Sequence, residues 1–421
     1  MKSLDFCYWS LAIAVVYIFF LLSQRRYRLL LPSVIHTSIW LLTVLLIICQ
    51  LKGFLVSNMA GNNIFDHSSK FICALMVSSV VGFTVAHIAT ARQETELNVE
   101  LMEAEKIETI LERFKWVPYT CGIVGVILFV YIFSIIGNLD SFGDYRIIAV
   151  TAKKVGYAAV AQRISGHINI LGGFFLMLLG YKFGQTGIDI KQFFKYVVLC
   201  SAINMSIGGR VWILTSTLPF LIAFVFSRKY SKVEDDIRLK DIRLILYIIA
   251  IFISLFSIIG ILRGNSGEIN FLDKYLYLTD GSRMTNIVYN TFSEGTFSYE
   301  YGKSTLLQGI VDSPMAQRFA QSISHDIGLS VTVKSIMPYL YYDFGFWGGA
   351  AFWGVICFCI EYLCIMLKYR RTIISILLFC LLSGILFQAP VGAIFANNTP
   401  VFYWIIILYI FRNRIFDTTT K

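Results

Sequence analysis

Six arginines stand at positions where a guanidinium could do chemistry. Arg146 and Arg163 lie in the stretch 138–164, and Arg210 follows two glycines in Gly208-Gly209-Arg210. Arg263 closes an apolar run in Leu262-Arg263-Gly264, while Arg283 and Arg318 fall within 263–335. An arginine inside or beside an apolar run is costly, and it normally has a partner or faces a water-filled cavity. Arg210 and Arg263 are the deepest by this criterion. Guanidinium matches phosphate with paired donors, so the set could hold a phosphate or diphosphate. The competing reading is snorkelling to headgroups, or pairing with Asp140, Asp144, Glu268, Asp273 or Asp280. His325, in Ser322-Ile323-Ser324-His325-Asp326, adds a titratable group whose acidic neighbour could orient it as a general base; a loop residue without chemistry is the alternative. Tyr275, Tyr277, Tyr289, Tyr299 and Tyr301 could stack on sugar rings, although tyrosine also suits a membrane interface.

The elements that must position these groups follow from composition. Of the 421 residues, 57% are hydrophobic and only 15% are charged, against roughly 45–50% and 25% in a soluble domain. The apolar residues lie in runs of bilayer-crossing length, such as Phe6–Leu22 and Leu244–Leu262. Barrel strands would alternate over short segments instead. The expectation is an all-α polytopic integral membrane protein forming a single membrane domain over 1–421, its N-terminal apolar block retained as the first span. The chain carries no Walker loop, no GxGxxG after a strand, no GxSxG elbow and no HExxH. The nine cysteines all fall inside apolar blocks without metal-site spacing and read as small helix-packing residues. No cofactor and no metal is expected, and the net charge of +10 reflects loops at a membrane rather than a nucleic-acid surface.

About eleven spans are expected, near 6–22, 34–51, 71–90, 117–137, 165–182, 192–208, 210–227, 244–262, 344–367, 372–388 and 398–411. Threading alternate loops to opposite sides puts most of the 36 basic residues on one side, in short segments such as 23–31, 228–243 and 368–371. That side is then cytoplasmic, with the N-terminus outside. The segment 91–116 reads as a charged cytoplasmic amphipathic helix, solvated or lying on the membrane surface. His36, His67, His87 and His167 lie near span ends, where headgroup contact is the default. The outer side receives two long connections, 138–164 and 263–335, and loops of that length usually carry function.

Three features together resemble a family: Gly208-Gly209-Arg210 at a span, Tyr301-Gly302-Lys303-Ser304 followed by Pro314 in the long outer loop, and Asp343-Phe344-Gly345-Phe346-Trp347-Gly348-Gly349 at the next span. Over residues 200–360 the chain resembles the bacterial O-antigen or capsular polysaccharide repeat-unit polymerases of the Wzy type. The resemblance implies a GT-C-like glycosyltransferase of the bacterial cytoplasmic membrane with its active site facing outward. It implies a growing glycan on undecaprenyl diphosphate as donor and the next lipid-linked repeat unit as acceptor. Membrane lipids and a chain-length regulator protein would be further partners. Under it, Arg210 matches the family's Gly-Arg position. Arg263 and His325 would join Arg210 in catalysis, and Arg146, Arg163, Arg283, Arg318 and Tyr301 would bind substrate, all of these by location. Two other functions fit a chain of this class: a flippase for lipid-linked oligosaccharide, and a membrane acyltransferase modifying surface polysaccharide. The latter would need a histidine with a nearby acid on a span, for which His87 is the one candidate.

Overall fold

A computed structural model describes residues 3–23, 32–54, 65–90, 104–136, 157–206, 220–224, 227, 277–291, 335–370 and 373–390. Regular secondary structure among them is helical throughout: α1 (Ser3–Ser23), α2 (Pro32–Leu51), α3 (Asp66–Thr90), α4 (Ala104–Arg113), α5 (Trp116–Ile136), α6 (Tyr157–Thr186), α7 (Ile190–Ser206), α8 (Tyr277–Thr291), α9 (Ile336–Arg370) and α10 (Ile373–Gln388). Proline placement explains several boundaries. Within these helices proline occurs only in first turns, as Pro32, Pro118 and Pro338, where no intrahelical donor is lost. Pro118 also accounts for the break between α4 and α5, and Pro390 stands two residues beyond α10.

Among the described residues, five stretches are long and apolar enough to cross a membrane by length and composition: Ser3–Leu21, Pro32–Leu51, Asp66–Thr90, Ile107–Ser134 and Ile336–Leu367. Their outward faces are apolar too. Val16, Phe19, Val81, Ile88, Ile123, Val126 and Val130 are all more than half exposed. In water such faces would carry a large hydration penalty, whereas in hydrocarbon they carry none. The chain therefore has the character of a membrane-embedded helical protein. The expected spans at 244–262 and 398–411 lie outside the described residues, as does most of 210–227.

Two of the expected loops contain helix. The connection 263–335 holds α8, and α6 begins at Tyr157, inside the expected loop 138–164. The segment 91–116 is described only from residue 104. Its described part, α4, buries Ile107, Leu111 and, just beyond its end, Phe114, at i, i+4 and i+7. Phe114 meets Phe174 of α6 edge to face, and Glu108 pairs with Lys182 of α6 at 2.6 Å. The helix is docked rather than free on a surface, because its apolar stripe finds a protein partner.

The described chain divides into two compact units: residues 1–98, 272–369 and 381–412, and residues 99–271, 370–380 and 413–421. In the second unit α5 lies against α7 through small residues, since a Cβ on Gly125 would come within 2.6 Å of Ala202. In the first unit α1, α2, α3 and α9 pack side by side. A Cβ on Gly82 of α3 would come within 2.3 Å of the Gly354 carbonyl of α9, and one on Gly354 within 2.9 Å of the Ser78 carbonyl. Small residues let two backbones touch, which is how helices associate where no hydrophobic drive exists between them. α9 is bent at Gly345, whose φ of 68° belongs to glycine. A Cβ on Gly349 would lie 2.8 Å from the Leu340 carbonyl, although nine residues of straight helix span about 13.5 Å. The segment before Gly345 therefore folds back beside the segment after it.

The α3–α9 crossing gives a direct test. Gly82→Val should overpack it and lower stability by about 1–3 kcal/mol, read as a lower unfolding midpoint of the purified protein in detergent. Gly173→Ala on α6, where a Cβ meets no atom within 4 Å, should leave that midpoint unchanged or raise it.

Candidate functional site

The first unit has two ends, set by helix direction. At one end lie the start of α1, the end of α2, the start of α3 and the start of α9, because Ser3 bonds Asp66 and Phe71 packs edge to face on Tyr341. α8 docks there. A Cβ on Gly281 would collide with Ser335 and approach the Pro390 carbonyl, so α8 lies directly on the backbone that leads into α9. Ser335 caps that helix: its hydroxyl accepts from the Met337 N–H at 3.3 Å and donates to the Ala389 carbonyl at 3.1 Å.

α8 meets the ends of α2 and α3 along one stripe, Thr279, Arg283, Asn286 and Tyr289, spaced at i, i+4, i+7 and i+10. Gln50 Nε2 at the end of α2 donates to Thr279 Oγ1 at 3.3 Å. The Arg283 guanidinium lies 6.0 Å from the centroid of the Phe65 ring, at the outer limit of cation–π range. Asn286 Oδ1 accepts the His67 backbone N–H at 3.1 Å, satisfying one of the donors a helix leaves open in its first turn. The His67 ring stacks on Tyr289, which in turn meets Tyr341 of α9 with centroids 6.0 Å apart. Beyond Tyr341, both Tyr342 and Asp343 are buried. Three segments far apart in sequence, 65–67, 279–289 and 341–343, thus bring an arginine, a histidine, a carboxyl group and several aromatic rings to one end of the helices. This is the candidate functional site.

Of the residues singled out from sequence, Arg283 belongs to this site. Arg163 lies on α6, in the other unit. His325, Arg210, Arg263, Arg146, Arg318 and Tyr301 lie outside the described residues. No protein-family model, curated protein or solved structure matches this chain.

The opposite end of the same unit holds a second polar cluster. Glu361, in the apolar run Cys359-Ile360-Glu361-Tyr362 of α9, is completely buried. Its carboxylate accepts the Ser33 backbone N–H at 3.0 Å and the Ser33 hydroxyl at 2.8 Å. It therefore serves as the N-terminal cap of α2, where the helix dipole favours an acceptor. His87 Nε2 of α3 stands 3.1 Å from Glu361 Oε1, close enough for ion pairing but not aligned as a hydrogen bond. Above this group His36 is buried among Trp40, Phe83 and Trp353, and its Nε2 accepts the Trp353 indole N–H at 3.2 Å.

These positions correct the expectation of headgroup contact for two of the histidines. His36 faces the interior because α2 turns that face toward α3 and α9, and His87 reaches Glu361. Sequence reasoning missed Glu361 itself. The signal is in the sequence: a carboxyl group inside an apolar span is as costly as an arginine. Among the described residues no group of three or more His, Cys, Asp or Glu side chains is placed to hold a metal ion.

Removing the Glu361 carboxylate would strand the Ser33 donors and leave His87 without its partner. Glu361→Ala should cost about 3–5 kcal/mol, read as loss of folded protein from the membrane fraction. Glu361→Gln, which keeps an acceptor oxygen for Ser33, should lose distinctly less.

Proposed function

We propose that this protein is a membrane glycosyltransferase that joins lipid-linked oligosaccharide repeat units into a surface polysaccharide. The observation that carries the reading is α8. Part of the long connection 263–335 returns to the span ends as a helix and sets Arg283 on one stripe with Asn286 and Tyr289, which hold His67. Guanidinium suits a diphosphate and aromatic faces suit sugar rings, so this end offers both halves of a sugar diphosphate. The resemblance over residues 200–360 points the same way, including the Asp343–Gly349 motif that leads from the site into α9.

Sidedness rests on charge. In sequence, Arg25, Arg26 and Arg28 stand between α1 and α2, and Lys368, Arg370 and Arg371 stand at and just beyond the end of α9. Positive residues mark the cytoplasmic side, so the α8 end faces outward. The fuller architecture in this reading is about eleven spans in a GT-C-like arrangement in a bacterial cytoplasmic membrane. The donor is a glycan on undecaprenyl diphosphate and the acceptor is the next lipid-linked unit.

The chemistry asks for two things. The bond between the anomeric carbon and the diphosphate oxygen breaks, and the departing negative charge is stabilised by preorganised arginines: Arg283 with Arg210, Arg263 and Arg318. The acceptor hydroxyl forms the new bond and gives its proton to a base. His325, with Asp326 or Glu294 as further candidates, lies in the same outer connection.

One observation favours a second reading. The His87–Glu361 pair supplies the histidine and acid that a membrane acyltransferase would need. The two readings separate on a polysaccharide gel from a strain lacking the gene. Loss of a polymerase leaves single-repeat products, whereas loss of an acyltransferase leaves full-length chains without acyl groups, and loss of a flippase leaves no product outside. Arg210→Ala, Arg263→Ala and Arg283→Ala, each present in the membrane at normal level, should reproduce the single-repeat pattern. Normal chain lengths in all three would overturn the diphosphate role.

A further inference from the structure

The start of α3 contributes a group that the glycosyl-transfer reading has not used. His67 is the second residue of α3, and α8 fixes it twice. Its backbone N–H is held by Asn286 Oδ1 at 3.1 Å, and one face of its ring lies on Tyr289. Tyr289 is itself braced by Tyr341. The ring is only partly buried, and neither ring nitrogen has a hydrogen-bond partner among the described residues. His36, packed on the inner part of the same unit, commits one nitrogen, its Nε2, to the Trp353 indole N–H. His67 is held in place while its proton-exchanging atoms stay open. Arg283 stands one turn before Asn286 on the same stripe of α8, so the cation and the imidazole share one surface.

We propose that His67, in place of His325, is the general base that takes the proton from the acceptor hydroxyl, a proposal that rests on the glycosyl-transfer reading. The acceptor oxygen bonds to the anomeric carbon as its proton passes to a His67 nitrogen. The bond from that carbon to the diphosphate oxygen breaks with its electron pair, and Arg283 offsets the charge that leaves. The proton then passes from His67 to water, restoring the neutral imidazole. Tyr289 is a positioning residue, since it acts through the ring it supports. The ligand class is a sugar hydroxyl presented next to a polyprenyl-linked diphosphate.

The test uses the full-length protein in membranes of a strain lacking the gene, supplied with the lipid-linked repeat unit. His67→Phe keeps a ring to stack on Tyr289 but has no base, and His67→Gln keeps polarity without proton exchange. Both should be present at normal level and slow chain extension by at least about a hundredfold. The wild-type rate should fall at low pH as the ring, which has Lys70 and Asp66 beside it, takes up a proton, because the protonated ring cannot accept another. The residual rate of His67→Gln should lack that fall.

Near-normal extension by His67→Phe would show that the ring serves packing alone and would overturn the proposal. So would a pH fall that persists in His67→Gln, or one that vanishes in His325→Ala instead. In those cases single-repeat product from the empty strain and from Arg283→Ala would leave the glycosyl-transfer reading standing. Normal chain lengths in the empty strain would remove that reading and the role of His67 with it.

Discussion

The backbone of α3 touches the backbone of α9 where Gly82 faces Gly354, and most of the first unit is registered by that contact. Lipid offers hydrocarbon no better and no worse than a leucine side chain, so hydrophobic burial alone cannot decide which helix faces meet. Close approach can, because dispersion and weak carbonyl contacts grow only when the axes come together. With Ser78, Gly82 and Gly354 fixing the height of α9 against α3, Tyr341 arrives beside Phe71 at one end and Glu361 beside His87 at the other. A side chain at the crossing would disturb both polar clusters although it belongs to neither.

The bend at Gly345 is the complement of that contact. A straight α9 would carry Ile336–Phe344 away from the other helices. The left-handed conformation at Gly345 folds this segment back, so that Tyr341 meets Tyr289 of α8 and Tyr342 and Asp343 are buried. The Asp343–Gly349 motif is thus one device: glycine supplies the turn, Gly349 makes room for the returning backbone, and the aromatic and acidic residues are what the turn delivers.

Much of this was legible in the sequence. Helix positions follow from apolar run length and proline placement, and expected spans such as 34–51, 117–137 and 372–388 coincide with α2, α5 and α10 within two residues. What could not be read was partnership. The stripe Thr279-Arg283-Asn286-Tyr289 is polar and flanked by Gly281, so in isolation it scans as loop; it is helical because α2, α3 and Ser335 receive it. The docking of α4 was hidden for the same reason. Its charges suggest water, whereas Ile107, Leu111 and Phe114 matter only once α6 is there to cover them. Arg283 could be chosen from its type and location, while His67 could not, because nothing near it in sequence announces Asn286 or Tyr289.

The two polar clusters also show how a structural group differs from one held for chemistry. Glu361 is wholly buried, and its oxygens are committed to the Ser33 N–H, the Ser33 hydroxyl and His87. A carboxylate so engaged ties three helices together and has little left to offer a substrate. His67 is the reverse case: its backbone and one ring face are engaged, and its nitrogens have no hydrogen-bond partner among the described residues. Anchoring through backbone and ring face fixes position without using the atoms that exchange protons, which is what a preorganised base requires. The same distinction ranks the two readings of function. Acyl transfer would have to recruit a pair whose acid is already bound up in holding α2 to α9, whereas the proposed glycosyl transfer draws on residues that α8 brings together at the other end of the unit.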